Sequence, residues 1–229
     1  MPEQRKTFSI AIDGPAGAGK STVAKALAAS LDAMYLDTGA MYRAMGLACL
    51  VSGADIDDEA AVSAQCSRTE VNAVHDADGQ HTLANGVDLT ALLRTEAAGR
   101  AASRVATYGD VRRAMVEAQQ RIARTADILM DGRDIGTRVL PDADVKIYLT
   151  ATAEERARRR WLDLQAKGDG TPYETVLADL KARDWQDSHR EVDPLRRAED
   201  AVVVDSTHLD FDGTVAEILR IVKEATGRG

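Results

Sequence analysis

The sequence predicts an α/β protein in which helices flank a central five-stranded parallel sheet. Short apolar runs alternate along the chain with segments of helical periodicity, and this alternation is typical of parallel sheets. Each apolar run is followed by a polar residue, as expected where a strand ends. The 229 residues are enough for one domain with sizeable insertions. Ligands of a protein with such a sheet are expected to bind beyond the carboxyl ends of its strands.

The first predicted strand, residues 8–12, leads into the sequence DGPAGAGKST. This sequence matches the phosphate-binding pattern G-x-x-x-x-G-K-[ST], and a helix predicted over 21–29 begins where the pattern ends. Backbone N–H groups and the positive end of a helix dipole would converge there on a polyphosphate. A chance match in a chain of this length is expected on the order of one per cent of the time. The pattern therefore predicts a P-loop NTPase fold.

The motif also predicts what its residues do. Lys20 is expected to lie along the β- and γ-phosphates of a nucleotide, and the Ser21 hydroxyl is the expected ligand of Mg²⁺. Thr22 follows directly and could share that role. The residues predicted to bind the nucleotide phosphates are Gly14, Pro15, Ala16, Gly17, Ala18, Gly19, Lys20, Ser21 and Thr22.

A second strand, turn and helix follow. The strand is predicted over 34–36 and the helix over 40–51, with the sequence DTG between them. Because carboxyl ends of parallel strands meet at one edge of a sheet, Asp37, Thr38 and Arg43 are expected near the phosphate loop. Capping of the helix by the aspartate is the structural alternative.

Residues 52–95 interrupt the alternation of strands and helices. A helix predicted over 59–67 follows the capping pair DD. Strands over 71–74 and 81–84 then flank the turn-forming sequence DADG, and a second turn signal, NG, comes after them. These features predict a small antiparallel insertion.

The remaining strands and helices complete the predicted sheet. Helices are expected over 96–106 and 110–125, and strands over 127–131, 145–149 and 201–205, each strand being followed by a helix candidate. The strand over 127–131 ends in the sequence DGRD, which adds a further set of polar residues at the predicted ligand edge.

Residues 153–197 are rich in arginine, with only two lysines. A helix, a glycine-containing turn and a second helix are predicted here. The planar guanidinium group suits phosphate oxygens, so the segment is interpreted as a lid that closes over a triphosphate; a solvated charged face is the alternative. The arginines concerned are Arg156, Arg158, Arg159, Arg160, Arg183, Arg190, Arg196 and Arg197.

Composition argues against several classes of protein. A net charge of -8 and a pI near 5.1 argue against a general nucleic-acid binder. No apolar run approaches the ~18 residues of a membrane span, and the polar start carries no export signal. The two cysteines, Cys49 and Cys66, cannot form a disulfide framework, which favours the cytoplasm. We expect a monomer whose partners are small molecules.

Six motifs occur in an order that resembles the bacterial type of cytidylate (CMP) kinase. They are IDGPAGAGKST, LDTGAMYR, DGRDIGT, LTATAEERARRR, RDWQDSHR and VVVDST, and the resemblance runs from about residue 8 to residue 222. It implies a single P-loop kinase domain, with its core at 6–51, 96–152 and 198–229, a nucleoside-monophosphate-binding insertion at 52–95 and a helical lid at 153–197. It also implies transfer of the γ-phosphoryl group of ATP to CMP and dCMP, with Mg²⁺.

The same resemblance implies roles for individual residues. The cytosine ring would be held by Thr38, Arg112 and Asp134, with Arg190 close by. The ribose would be contacted by Ser103, Arg183 and Asp187. The α-phosphate of the acceptor would be held by Arg43 and Arg133. Independently of the resemblance, phosphoryl transfer needs cations that stabilise the transferred group, and the residues predicted to supply them are Lys20, Arg133, Arg156 and Arg159.

Two other functions are compatible with a phosphate loop. One is a kinase of another small acceptor, such as UMP, shikimate or gluconate, and the other is a nucleotide-dependent switch. The sequence contains no guanine-binding Asn-Lys-x-Asp motif, and the arginine-rich lid together with the second set of polar strand ends indicates two bound phosphate compounds. These observations favour a kinase over a switch. Between pyrimidines, a carboxylate at Asp134 favours CMP, because it accepts a hydrogen bond from the exocyclic amine of cytosine.

Overall fold

The computed structural model describes residues 7–228. Within it the chain divides into two compact units: unit one comprises residues up to 8 together with 33–130, and unit two comprises 9–32 together with 131 onward. The polar start of the chain, where no export signal is predicted, lies outside the described residues except for Thr7. In the described part of the chain, no helix is both long enough and apolar enough to cross a membrane.

The strands of residues 7–228 are, in chain order, β1 (Ser9–Asp13), β2 (Met34–Asp37), β3 (Val71–Asp76), β4 (Gly79–Ala84), β5 (Val87–Asp88), β6 (Ile128–Gly132), β7 (Val145–Thr150) and β8 (Val202–Asp205). The α-helices are α1 (Lys20–Ser30), α2 (Thr38–Ser52), α3 (Glu59–Cys66), α4 (Glu96–Val105), α5 (Gly109–Ala123), α6 (Ala153–Ala166), α7 (Tyr173–His189) and α8 (Phe211–Thr226). A short 3₁₀ helix spans Thr90–Leu92.

Five strands form the central sheet, in the order β2-β6-β1-β7-β8. Strand β1 pairs in parallel with β7, with Ile10 opposite Val145, and β7 pairs in parallel with β8, with Ile147 opposite Val202. Consecutive residues of β1, such as Ile10 and Ala11, are fully buried, as expected for a parallel strand covered on both faces. The predicted five-stranded parallel sheet flanked by helices is confirmed.

The insertion in unit one folds as an antiparallel sheet in the order β3-β4-β5. Strands β3 and β4 pair from Val71 opposite Ala84 to Asp76 opposite Gly79, so the predicted turn sequence joins them. The preceding helix α3 is capped by Asp58, whose carboxylate accepts a hydrogen bond from the backbone N–H of Ala60 at 2.9 Å. The small antiparallel insertion predicted from turn signals is therefore present.

Helices α2 and α4 of unit one pack closely at Gly46. A Cβ atom at this position would lie 2.8 Å from the Cβ of Ala101 and 2.9 Å from its carbonyl carbon. Atoms of this kind do not approach so closely, so any side chain at Gly46 forces the two helices apart.

Replacing Gly46 with alanine is expected to lower the free energy of unfolding by about 1–3 kcal/mol, because the added methyl overpacks the helix contact. Gly99→Ala is the matched control, since Gly99 also lies in a helix of unit one and a Cβ there would meet nothing within 4 Å. That substitution should raise the free energy of unfolding by about 0.5–1 kcal/mol. Urea unfolding measures both, and equal changes in the two variants would contradict the close packing.

In unit two, α6 and α7 form the predicted helix–turn–helix. The turn contains Gly168, whose φ of +78° favours glycine. The apolar faces of the two helices meet in a small cluster that also includes Ala16 of the phosphate loop, together with Ala157, Val176 and Leu180. The two helices therefore pack on the loop. Their movement as a lid stays a prediction.

The segment after β6 differs from the prediction of a helix. It forms a five-residue π-helical turn, Ile135–Val139. Its first two backbone N–H groups, those of Ile135 and Gly136, are bound by the carboxylate of Asp13 at 2.8 and 2.7 Å. A contact between residues more than 120 positions apart thus sets the start of this turn, and local sequence could not predict it.

Candidate active site

The backbone of the phosphate loop explains its glycines. Gly14 has a φ of +149°, and a Cβ there would lie only 2.0 Å from the carbonyl oxygen of Leu149. Gly17 and Gly19 have φ of +74° and +82°. These conformations are open to glycine and strained for other residues. The loop therefore needs glycine at these three positions, and α1 begins directly after it at Lys20.

Lys20 lies inside the loop, with 5% of its surface exposed. Its ammonium group donates hydrogen bonds to the carbonyl oxygens of Gly14 and Pro15, both at 2.8 Å. Burial lowers the pKa of Lys20 well below its usual range, and the guanidinium of Arg133 lowers it further, against the opposing effect of the Asp131 carboxylate. The predicted phosphate-binding cation is thus close to the loop backbone and to charges at the end of β6.

Ser21 and Asp131 place two side-chain oxygen atoms, both potential metal ligands, next to each other. The Ser21 hydroxyl donates a hydrogen bond to a carboxylate oxygen of Asp131 at 2.8 Å. Hard oxygen donors suit Mg²⁺, which keeps several waters and takes only one or two protein ligands alongside substrate phosphates. No group of three or more His, Cys, Asp or Glu side chains suited to a metal occurs within residues 7–228. The residues present thus fit a magnesium ion held mainly by phosphates and water.

Arg156 on α6 and Asp184 on α7 both bind Ala16, at the top of the phosphate loop. Arg156 donates hydrogen bonds to the Ala16 carbonyl oxygen at 2.8 Å and to Asp184 at 2.6 Å. The second carboxylate oxygen of Asp184 accepts from the Ala16 backbone N–H at 3.1 Å. Both helices of the predicted lid therefore contact the loop through charged groups as well as through the apolar cluster.

Arg159 lies on the same helix as Arg156 and has different partners. It donates hydrogen bonds to Glu155 at 2.9 Å, to the carbonyl oxygen of Ser206 at 2.6 Å and to that of Leu209 at 3.5 Å. The predicted catalytic pair is thus divided, with Arg156 at the phosphate loop and Arg159 at the segment after β8.

The end of β6 and the end of α7 are joined by two ion pairs. Arg133 donates a hydrogen bond to Asp187 at 2.7 Å, and Arg190 lies 3.3 Å from Asp134 with both side chains buried. Burial alone would raise the pKa of Asp187, but its charge and hydrogen-bond contact with Arg133 hold that pKa below the usual range. Four of the five acceptor-binding residues predicted in unit two thus form two ion pairs. The fifth, Arg183, is exposed on α7, and its charge also lowers the pKa of Asp187.

Unit one contains the other predicted acceptor residues. Arg43 pairs with Asp37 at 2.8 Å, and Asp37 also caps α2 by accepting from the backbone N–H of Ala40 at 2.9 Å. Arg112 is buried, and its guanidinium carbon lies 5.5 Å from the centre of the Tyr42 ring. Thr38 is buried at the start of α2, and Ser103 is half-buried on α4.

Two residues at the phosphate loop were not assigned a role from sequence. The sequence places Asp131 only among the polar residues at the end of a strand, and its hydrogen bond with Ser21 joins residues 110 positions apart. The hydrogen bond between Asp184 and Ala16 joins residues 168 positions apart. A carboxylate that ends a strand beside the phosphate-loop strand is a signal that could have identified Asp131. No sequence signal of comparable strength marks Asp184.

A family model described as cytidylate kinase matches residues 10–224 of the chain. The chain belongs to the cytidylate kinase family. A cytidylate kinase from Bacillus velezensis is 48% identical over 219 residues, which cover 96% of this chain and 98% of that protein. A cytidylate kinase from Shouchella clausii is 47% identical over 219 residues, covering 96% and 97%.

A solved structure shows a similar fold. It is described as an uncharacterised protein from Eubacterium ventriosum, with a TM-score of 0.51 and 13% identity, and the match covers 96% of this chain and 99% of that one. At that identity the similarity concerns the fold alone. The family assignment therefore comes from the sequence comparisons.

Proposed function

We propose that this member of the cytidylate kinase family transfers the γ-phosphoryl group of ATP to CMP, and also to dCMP, giving ADP and the pyrimidine diphosphate. The observation that carries the proposal is the arrangement in unit two. There, a glycine-rich phosphate loop and its buried Lys20 occur together with two arginine–carboxylate pairs at the end of β6. The names of the relatives support cytosine as the base of the acceptor.

On the donor side, the loop N–H groups and Lys20 would bind the β- and γ-phosphates of ATP. The Lys20 ammonium now donates to the Gly14 and Pro15 carbonyls, at 2.8 Å each, and phosphate oxygens would replace or join these acceptors. Ser21 and Asp131 would hold Mg²⁺, directly or through water. The ion would neutralise charge on the phosphates while the chain orients them.

On the acceptor side, the proposed roles follow the resemblance to the family. Asp134 would accept a hydrogen bond from the cytosine amine, and Arg190, 3.3 Å away, would orient that carboxylate. Arg133 would bind the α-phosphate, and its pairing with Asp187 at 2.7 Å would hold the guanidinium in place. Thr38 and Arg112 would complete the base contacts, Ser103, Asp187 and Arg183 the ribose contacts, and Arg43 the phosphate contacts.

The transfer itself needs no general base. A phosphate monoester has a second pKa of about 6, so CMP is already mostly a dianion at neutral pH. The requirement is for cations that stabilise the charge of the transition state and for exclusion of water as a competing acceptor. Lys20, Arg133, Arg156 and Arg159 are the proposed cations. Closure of α6 and α7 would exclude the water.

Further expectations accompany this proposal. Mg²⁺ is supported by the oxygen donors Ser21 and Asp131, which lie 2.8 Å apart. A cytoplasmic location stays a prediction from cysteine content, and a monomeric state stays a prediction. So does the absence of nucleic-acid and membrane partners.

An acceptor screen tests the proposal. ADP release from ATP and Mg²⁺ would be coupled to NADH oxidation, with each common ribo- and deoxyribonucleoside monophosphate, shikimate and gluconate as acceptors. We expect the highest kcat/KM for CMP and dCMP, and for UMP a value at least about tenfold lower, because uracil has a carbonyl oxygen where cytosine has its amine. Preference for another acceptor would overturn the proposal. ATP hydrolysis without consumption of any acceptor would instead indicate a switch.

A further inference from the structure

We infer that Asp13 is a positioning residue for the acceptor side of the reaction: it fixes the Arg133–Asp134 segment by binding the backbone that follows it. This inference rests on the function proposed above, which gives Asp13 no role. Asp13 is the last residue of β1 and precedes Gly14 of the phosphate loop. It is buried, with 4% of its surface exposed.

The contact uses both carboxylate oxygens of Asp13. One accepts a hydrogen bond from the backbone N–H of Ile135 at 2.8 Å, and the other accepts from Gly136 at 2.7 Å. These two residues directly follow Arg133 and Asp134. The backbone is therefore anchored immediately after the two side chains that would bind the α-phosphate and the cytosine amine.

Side chains occupy the space beside the anchored backbone. A Cβ atom at Gly136 would lie 3.2 Å from the Cδ of Lys146 and 3.4 Å from a carboxylate oxygen of Asp13. The residue before the turn, Asp134, has φ of -144° and ψ of 25°, outside the helical region, and is joined directly to the Ile135 N–H group that Asp13 binds. A shift of the turn would carry the Asp134 carboxylate with it.

The N–H groups of Ile135 and Gly136 both point at the Asp13 side chain, and each needs a hydrogen-bond acceptor there. An ionised carboxylate accepts with both oxygens, whereas an asparagine would place its own NH₂ against one of the N–H groups. Burial raises the pKa of Asp13 to about 6, against the lowering effect of the two backbone hydrogen bonds. A carboxylate here thus costs folding free energy that an apolar residue would not. Its pair of hydrogen bonds to the turn is the feature that an apolar residue could not supply.

Asp13→Asn tests the inference, because the side chain keeps its size and loses one acceptor. We expect kcat/KM for CMP to fall by about 10–100-fold, since misplacement by ~1 Å has an effect of that order. The CMP/UMP ratio of kcat/KM should fall about tenfold as Asp134 loses its fixed position. The KM for ATP should change less than kcat/KM for CMP. The charge of Asp13 also acts on Lys20, but both hydrogen bonds of Asp13 are made to the acceptor segment.

Asp144→Asn is the matched control. Asp144 also binds β1, where its carboxylate accepts from the Ser9 backbone N–H at 2.9 Å at the opposite end of the strand. This variant is expected to lower stability without changing the CMP/UMP ratio. If both variants lose activity in parallel, or if Asp13→Asn leaves CMP turnover and the ratio unchanged, the inference is wrong.

A second variant covers the case in which Asp13→Asn does not fold. Asp13→Ser removes the buried carboxylate, and its single oxygen cannot bind both N–H groups as the carboxylate does, so it should show the same acceptor-selective loss; a folded variant without that loss overturns the inference. The unmodified protein separates this outcome from failure of the proposed function. If it phosphorylates CMP and the variants lack the expected pattern, only the inference fails, whereas no turnover of CMP removes the proposed function itself.

Discussion

Replacing Lys20 with alanine is expected to lower kcat with ATP and CMP by about 10³-fold or more. The substitution removes the cation that would follow the transferred phosphoryl group, and single groups of this kind contribute such factors. The structure adds a reason to expect that the protein still folds. Lys20 is a buried cation whose pKa is lowered mainly by burial, so its removal relieves a desolvation cost while it leaves the glycine conformations of the loop unchanged.

The measurement is steady-state ADP release, with thermal unfolding of the same samples. Lys25→Ala is the matched control, since Lys25 lies on the same helix and is exposed. It should keep kcat within about twofold, because exposed substitutions change energies by only a few tenths of a kcal/mol. A folded Lys20→Ala variant with nearly normal turnover would remove the phosphate loop from the mechanism.

Local patterns explain why so much of the fold was predictable. The phosphate loop is a run of consecutive residues, and its glycines are required by its own backbone, as the φ of +149° at Gly14 shows. Apolar runs and turn signals are equally local, so the predicted strand ends lie within two residues of those found, for example 71–74 against Val71–Asp76. Helical spacing also placed Arg156 and Arg159 on one helix.

Contacts between distant residues explain what was not predictable. The spacing of residues along a helix does not show which other parts of the chain their side chains contact. It therefore could not show that Arg156 binds Ala16 while Arg159 binds the carbonyl of Ser206. The π-helical turn after β6 begins where Asp13 binds it across 122 positions. In both cases the deciding atom belongs to a part of the chain that becomes a neighbour only in the folded protein.

Asp134→Asn is expected to change the choice of base. The buried carboxylate would accept a hydrogen bond from the cytosine amine, whereas the amide can donate one to the carbonyl oxygen of uracil. Discrimination that depends on leaving buried polar groups unpaired reaches ~10⁴. We therefore expect the CMP/UMP ratio of kcat/KM to fall by at least about tenfold, through loss of CMP turnover and gain of UMP turnover.

Asp134→Asn also removes the ion-pair partner of Arg190, and this second effect must be separated from the effect on the base. Arg190 lies 3.3 Å from the Asp134 carboxylate, and both side chains are buried, so the substitution also leaves a buried guanidinium without that charge. A general loss from this cause would lower turnover of CMP and UMP together and leave the ratio unchanged, which would contradict the base-reading role. Asp142→Asn makes the same change of net charge at an exposed residue and should alter neither turnover nor ratio. Because a ratio cancels defects common to both substrates, it isolates the hydrogen bond to the base from the stability of the site.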